Sequence, residues 1–180
     1  MRLFFALWPD AGIRDRIEMA AAALDLRSTA RRVPRENYHL TLLFVGETAQ
    51  SQLGALVEIG RCLRGATCTV KFDAYDYWPQ SQAAVAVARE SPAALGSLRS
   101  RLQGKLASCH AALKISPPEA SLRAHVTLAR KVAQAPVLQA MSRFEWHARS
   151  FSLVRSDTSG PQSVYTVVET WPLLDETPKS

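Results

Sequence analysis

The chain has 180 residues, of which 47% are hydrophobic, and this is enough to bury the core of a single domain over residues 1–180. Its net charge of +6 is compatible with a polyanionic partner, because lysine and arginine gain from neutralising phosphates, although many basic proteins have no such partner. Three cysteines without paired spacing exclude a disulfide framework and a zinc ribbon. No apolar run approaches the ~20 residues of a membrane span and no signal peptide is evident, so we expect a cytoplasmic protein with no membrane partner.

The first half of the chain predicts strands and helices in alternation. In order, we expect a strand at 2–8, a helix at 11–26, a basic loop at 27–37, a strand at 39–46 and a helix at 48–63. Asp10 is a suitable N-cap for the first helix. The basic loop holds Arg27, Arg31, Arg32 and Arg35, and it fits a solvated surface and a nucleic-acid contact equally well.

The second half predicts a hairpin, a long helix and further strands. We expect strands at 67–78 and 83–88 across a turn at 79–81, a helix at 91–113, a loop at 114–124, a short helix or turn at 136–141, and strands at 144–154 and 164–171. Helices and antiparallel hairpins in one chain indicate the α+β class.

One motif occurs twice, once in each half of the chain. His39-Leu40-Thr41-Leu42 and His125-Val126-Thr127-Leu128 share the order histidine, apolar residue, threonine, leucine. Alternate residues of a strand point to the same face, so each histidine shares a face with its threonine. A single histidine in an apolar strand is more often structural than functional. Two copies in the same order indicate an internal duplication and two halves of a phosphate site.

The sequence around these motifs resembles the two-histidine (2H) phosphoesterases. Residues 34–42, Pro-Arg-Glu-Asn-Tyr-His-Leu-Thr-Leu, are similar to the family's first motif, and Phe-Val-Gly-Glu at 44–47 continues it. Residues 2–7 and 165–173 resemble its first and last strands. The branch that contains bacterial RNA 2′,3′-cyclic phosphodiesterases, also called 2′-5′ RNA ligases, is the most similar. One departure is visible: Leu122-Arg123-Ala124 stands where the family often has Phe-x-Pro.

The resemblance implies a two-lobed fold whose antiparallel sheets, flanked by helices, border a cleft lined by both motifs. It implies hydrolysis of RNA 2′,3′-cyclic phosphate ends to 2′-phosphomonoesters, with weak reverse 2′-5′ joining, and no metal or other cofactor. The implied catalytic residues are His39 and His125. The implied substrate-binding residues are Thr41, Thr127, Arg130 and Tyr165. The family pattern assigns the acid to His39 and the base to His125, although the near symmetry leaves that order open. We expect a monomer.

The residue chemistry supports two histidines as the proton carriers. Opening a cyclic phosphate needs a base for water and an acid for the departing ribose oxygen, and histidine titrates near neutral pH. A metal hydrolase would need three or four ligands, and neither His-x-x-x-His nor a carboxylate close to either motif is present. Gly-x-Ser-x-Gly and the phosphate-binding glycine motifs are also absent. Two alternatives stay open: an RNA-binding module without turnover, and a 2H enzyme acting on 2′-5′ oligonucleotides or small cyclic nucleotides.

Overall fold

The computed structural model describes residues 1–26, 30–109, 123–137, 140–160 and 163–175. Three helices are described: α1 (Ala11–Ala22), α2 (Leu53–Cys62) and α3 (Ala93–Cys109). The strands of the first half are β1 (Arg2–Leu7), β2 (Arg31–Arg32), β3 (Leu40–Glu47), β4 (Cys68–Phe72), β5 (Ala74–Trp78) and β6 (Ala83–Val87). Those of the second half are β7 (His125–Arg130), β8 (Phe144–Ala148), β9 (Ser150–Asp157) and β10 (Val164–Pro172).

The strands form antiparallel sheets, and the α+β class is confirmed. Sheet A has the order β10-β9-β1-β3 and sheet B the order β2-β7-β6-β5, while β4 and β8 form a separate pair. The first motif therefore leads into sheet A and the second lies in sheet B. One large apolar cluster, which includes Phe5, Leu42, Leu102 and Leu128, unites the helices with one side of both sheets.

The opposite face of each sheet carries a smaller apolar cluster. On sheet A this cluster is Phe4, Ala6 and Val154, with Trp8 and Tyr165 packed against it. On sheet B the small cluster consists of Ala83, Val85 and Val87, bordered by Ala74 and Trp78. We call these two surfaces the cleft faces, because residues of both sheets line one cavity between them.

Two long strand predictions were wrong in the same way. Residues 67–78 form two strands, since β4 pairs with β8 whereas β5 pairs with β6. The chain leaves one sheet at Asp73, whose carboxylate accepts a hydrogen bond from the backbone N–H of Arg89 at 3.2 Å. Residues 144–154 likewise divide at Arg149 between β8 and β9. Alternation of apolar and polar residues continues through Asp73, so periodicity could not locate that break, whereas at Arg149 and Ser150 the alternation shifts by one residue.

Other elements differ from the prediction mainly at their ends. Asp10 caps α1 as expected, its carboxylate accepting from the backbone N–H of Ile13 at 2.8 Å. The helix nevertheless ends at Ala22, although Leu24 is buried beyond it. The predicted loop 27–37 contains β2, which pairs with β7, and a short 3-10 turn at Arg35–Asn37. The predicted last residues of the long helix, 110–113, and most of the loop 114–124 lie outside the described residues.

Helical segments of the described chain are all too short or too polar to cross a membrane. The described parts of 136–141 contain no helix, and residues 138–139 lie outside the description.

Candidate active site

The two motifs share a backbone irregularity that the sequence did not predict. In β3, Ala6 pairs with Thr41 while Phe5 pairs with Leu43, so Leu42 is an extra residue against β1. In β7, Val85 pairs with Thr127 while Ala84 pairs with Ala129, so Leu128 is an extra residue against β6. A β-bulge at the same motif position in both halves shifts the alternation of faces by one residue.

The bulges explain how Arg130 reaches the cavity. Five residues separate it from His125, which would put the two on opposite faces of a regular strand. Because Leu128 is an extra residue, Thr127 and Arg130 return to the same face, and both line the cavity. The equivalent position in the first motif is Phe44, whose side chain is 57% exposed and lies 6.0 Å from the ring of Phe4.

Both histidine rings are oriented by the carbonyl group two residues upstream. His39 Nδ1 lies 2.7 Å from the carbonyl oxygen of Asn37, and His125 Nδ1 lies 2.8 Å from that of Arg123. A carbonyl oxygen only accepts, so each Nδ1 carries a hydrogen and donates. Each Nε2 is then left for proton transfer: it accepts a proton when the ring is neutral and donates one when the ring is charged.

Asn37 fixes the approach to His39. Its side chain is buried, and its amide nitrogen donates to the carbonyl oxygen of Ser163 at 2.7 Å. This hydrogen bond ties the 3-10 turn before β3 to the residue that precedes β10. The residue whose carbonyl orients His39 is therefore attached to sheet A twice, by the chain that continues into β3 and by this hydrogen bond next to β10.

Three aromatic rings surround His39. Trp8 stacks on it with a centroid distance of 5.9 Å and an interplanar angle of 18°, and Phe4 lies at 4.9 Å. Tyr165 contacts it edge to face at 5.2 Å. Burial among these rings lowers the pKa of His39 to about 4, and the positive charges of Arg130 and His125 act in the same direction. The ring is therefore neutral at pH 7 in the ligand-free protein.

His125 has a different neighbourhood. Its ring packs against Trp78, with centroids 4.3 Å apart and planes at 56°. Arg123, whose carbonyl orients the ring, forms an ion pair with Asp76 at 2.6 Å. Trp78 therefore borders the second motif.

A cavity of about 220 Å³ joins the two sheets. It brings together four of the predicted site residues, His39, Thr127, Arg130 and Tyr165. His125 shares the face of Thr127 in β7, and its charge acts on His39. Thr41 is half-buried and does not line this cavity. Further lining residues include Arg31, Arg32, Asn37, Lys131 and Ser163.

The described arginines of the basic loop differ in their contacts. Arg31 and Arg32 are exposed on β2 and line the cavity beside Arg130. Arg35 instead forms ion pairs with Asp15 and Glu18 of α1, so it fastens the loop to the helix. Arg27 lies outside the described residues.

The remaining histidines are not part of this site as described. His147 is exposed on β8, where its Nδ1 lies 2.7 Å from the hydroxyl of Thr69. His110 lies outside the described residues. Within the described ranges, no three His, Cys, Asp or Glu side chains are close enough to hold a metal ion, and metal independence stays a prediction.

The fold is shared with solved phosphoesterase structures. A crystal structure described as a phosphoesterase superposes with a TM-score of 0.84 and 28% identity, covering 97% of this chain and 99% of that one. The structure of Escherichia coli LigT complexed with 3'-AMP superposes with a TM-score of 0.81 and 26% identity, covering 97% and 98% of the two chains. The fold is thus that of these solved structures.

The family follows from the sequence comparison. Residues 9–160 match the model of the 2'-5' RNA ligase superfamily, and the chain belongs to this family. An RNA 2',3'-cyclic phosphodiesterase of Thermus thermophilus is 29% identical, over 98% of this chain and 92% of the relative. A protein of the same name from Escherichia coli is 28% identical, over 96% of both. The resemblance inferred from the two motifs is therefore confirmed.

Proposed function

We propose that this protein opens RNA 2′,3′-cyclic phosphate ends to 2′-phosphomonoesters, with His39 and His125 carrying the protons. The observation that carries the proposal is the pair of motif strands, each holding a histidine ring by Nδ1–H and leaving Nε2 for proton transfer. The names of the two relatives, RNA 2',3'-cyclic phosphodiesterase, support the same reaction. Reverse 2′-5′ joining belongs to the proposal as a slow side reaction.

The geometry suits an in-line displacement at phosphorus. Attacking water and departing ribose oxygen stand on opposite sides of the phosphorus atom, so the base and the acid must flank it. His39 lines the cavity from the side of sheet A, and His125 belongs to sheet B, where it shares a face of β7 with the cavity-lining Thr127. His125 takes the proton of water, and His39 gives a proton to the 3′ oxygen as the phosphorus–oxygen bond breaks.

Hydrogen-bond donors from sheet B stabilise the negative charge on the phosphoryl oxygens. The hydroxyl of Thr127 and the guanidinium of Arg130 line the cavity on the same face of β7. Donors placed where negative charge accumulates stabilise the transition state more than the ground state. Thr41 plays the corresponding part for sheet A at the edge of the site.

The low pKa of His39 makes its acid role depend on the substrate. The free ring, with a pKa of about 4, carries no proton at neutral pH. An anionic phosphodiester about 4 Å away contributes about 4 kcal/mol at an effective dielectric constant of about 20, which raises a histidine pKa by about 3. Substrate binding thus brings the pKa of His39 into the neutral range, and the acid acquires its proton with the substrate.

An RNA end fits the surroundings of the cavity. Arg31, Arg32 and Lys131 supply positive charge for backbone phosphates, and the exposed Phe44 and half-exposed Tyr165 offer faces on which bases stack. The LigT crystal structure that contains 3'-AMP supports a nucleotide as the ligand class. We therefore propose a cyclic-phosphate-ended oligonucleotide as substrate and no membrane partner.

The test is a product analysis. Pure protein is incubated with a short oligonucleotide ending in a 2′,3′-cyclic phosphate, and the product end is identified by mass and by its resistance to a 3′-specific phosphatase. We expect a 2′-phosphomonoester, at a rate that EDTA leaves unchanged. Tight RNA binding with no turnover would instead establish the binding module, and turnover of only small cyclic nucleotides would establish the other 2H substrate class.

A further inference from the structure

The approach to His125 lacks the proline that the family often has, and a charged pair stands beside it. Residue 124 is alanine, and the preceding Arg123 reaches across to β5. Without proline, the backbone before the motif has more conformational freedom in the unfolded chain and no fixed φ at this position. The backbone here is held instead by hydrogen bonds: the N–H of Ala124 donates to Ser91 Oγ at 3.2 Å, and the carbonyl oxygen of Ala124 accepts from the N–H of Ala88 at 3.0 Å. The ion pair of the Arg123 side chain adds a further restraint next to the carbonyl that orients His125.

Asp76 of β5 contacts both neighbours of His125. Its Oδ2 accepts from the guanidinium of Arg123 at 2.6 Å and from the indole N–H of Trp78 at 3.0 Å. Its Oδ1 accepts from the backbone N–H of Tyr77 at 2.8 Å, which fixes the carboxylate itself. One carboxylate oxygen therefore holds two separate side chains, while the other is fixed by the backbone.

Both of these side chains belong to residues that touch the His125 ring. The carbonyl oxygen of Arg123 accepts from Nδ1–H, and the Trp78 ring lies against the imidazole at 4.3 Å. Asp76 is thus linked to the ring through these two residues. Restraining the Arg123 side chain restrains its backbone, and restraining the indole N–H fixes the plane against which the imidazole packs.

The strand register places Asp76 on the correct face for this purpose. Asp76 pairs with Val85, and Val85 pairs with Thr127, so these residues form one row across sheet B. The Asp76 side chain is 29% exposed, whereas that of Arg123 is 56% exposed. An ion pair this open adds little to the stability of the fold. Its value lies in the orientation that it imposes.

We propose that Asp76 is a positioning residue for His125, holding Arg123 and Trp78 so that Nε2 points at the phosphate. The inference rests on the proposed function for its catalytic consequence, but the orientation of the ring can be measured without turnover. In the first half of the chain, Asn37 has the corresponding task for His39 through its bond to Ser163. The two halves thus reach the same ring geometry by different chemistry.

The kinetic test removes the carboxylate of Asp76. Its control removes one partner of an exposed ion pair elsewhere in the fold. Asp76→Ala should lower kcat by about 10- to 100-fold, since misplacing a reacting group by 1 Å costs up to about 10²-fold, with KM changed less than about twofold. Glu145→Ala breaks the exposed pair with Lys71 on the β4–β8 sheet and should leave kcat unchanged. Equal kcat values for these two variants would overturn the proposal.

A second variant covers the case in which Asp76→Ala fails to fold. Arg123→Ala breaks the same ion pair from its exposed end, keeps the backbone carbonyl, and should also lower kcat. The double variant should be no slower than the worse single variant, because both substitutions remove one restraint. Independent, multiplying losses would show that the pair does not act as a unit.

Nitrogen-15 spectra of the histidine rings supply a reading that does not depend on activity. In the wild type we expect His125 as the Nδ1–H tautomer, and in Asp76→Ala a mixture of tautomers, with His39 signals unchanged. Unaltered His125 signals would overturn the proposal even if kcat fell. If the wild type itself turns over no cyclic phosphate, the proposed function fails, and these spectra still decide the role of Asp76.

Discussion

His39 and His125 carry the same motif in unlike surroundings. Both rings donate Nδ1–H to a carbonyl two residues upstream, and both strands bulge at the motif leucine. His39 stands among three aromatic rings that lower its pKa to about 4. His125 packs on one indole beside a carboxylate–guanidinium pair. The two rings are oriented in the same way, whereas their surroundings differ, and burial lowers the pKa of His39.

The two motifs share the orientation of the histidine ring, and they differ in the surroundings that bear on proton transfer. A displacement at phosphorus needs one neutral and one protonated histidine at the same moment. Enclosure of His39 favours its neutral form before substrate binds, so its proposed acid role depends on the negative charge that the substrate brings. Aromatic enclosure on one side and a charged pair on the other break the symmetry. Each prediction below tests whether that asymmetry has consequences for the reaction or the fold.

The largest effect should come from either histidine. His39→Ala and His125→Ala should each lower kcat by about 10²–10⁴-fold with an oligonucleotide substrate, because each removes a positioned acid or base. The matched control is His147→Ala, since that ring is exposed on β8 outside the cavity, and it should keep wild-type turnover. A single catalytic histidine would be indicated if one of the two site variants stayed near the wild-type rate.

Removing the guanidinium of Arg130 should have the next largest effect. Arg130→Met should lower kcat by about 10²-fold, as the loss of a donor to a developing oxyanion does in other enzymes. Its neighbour in the β2–β7 pairing offers a comparison, since Arg31→Met should raise KM and leave kcat within about threefold. Steady-state kinetics on the two variants would contradict this division if both changed only KM.

Substitution of the two motif threonines should lower kcat by unequal amounts, although the motifs look symmetric in sequence. Thr127 lines the cavity and Thr41 does not, so Thr127→Val should cost about tenfold in kcat, the value of about one hydrogen bond, and Thr41→Val distinctly less. Valine has nearly the shape of threonine, so stability should change little. Equal losses would show that the phosphate sits midway between the two strands, and a larger loss for Thr41→Val would place it nearer sheet A.

The burial of His39 among aromatic rings should also make the free energy of unfolding depend on pH. Its folded pKa of about 4 lies below the unfolded value, so the unfolded chain binds more protons as the pH falls, and the fold is weakened. From pH 7 to about pH 5 the wild type should lose about 2 kcal/mol more than His39→Gln. Denaturant titrations at the two pH values measure this difference. Parallel losses in the two proteins would mean that the aromatic rings do not exclude water from His39.

The prediction of the site used a local signal. Period-2 alternation and the repeated order of residues 39–42 and 125–128 predicted that each histidine shares a face with its threonine, but Thr41 does not line the cavity that His39 lines. The strand at Arg2–Leu7, the cap at Asp10 and the hairpin of β5 and β6 follow equally local rules. These three elements depend on neighbours in the chain, and they were confirmed; the catalytic roles stay a prediction.

What the sequence missed depends on contacts between distant residues. At Asp73 one run of alternating residues serves two sheets, whereas at Arg149 the break coincides with a one-residue shift of the alternation that the predicted single strand ignored. The bulge at Leu128, which returns Arg130 to the cavity, is a property of strand pairing and not of one strand. Trp8 and Asp76 lie far from the motifs in sequence, so their contacts with the site could be found only in the folded chain.

The acid and base roles can be tested most directly by changing the leaving group. A cyclic phosphodiester or aryl phosphodiester whose departing oxygen has a low pKa needs no proton from an acid. On such a substrate, compared with an RNA end, His39→Ala should regain most of its lost kcat, whereas His125→Ala should stay slow. Rescue of His125→Ala alone would reverse the assignment, and equal rescue or equal failure of both variants would contradict the division of roles between the two halves.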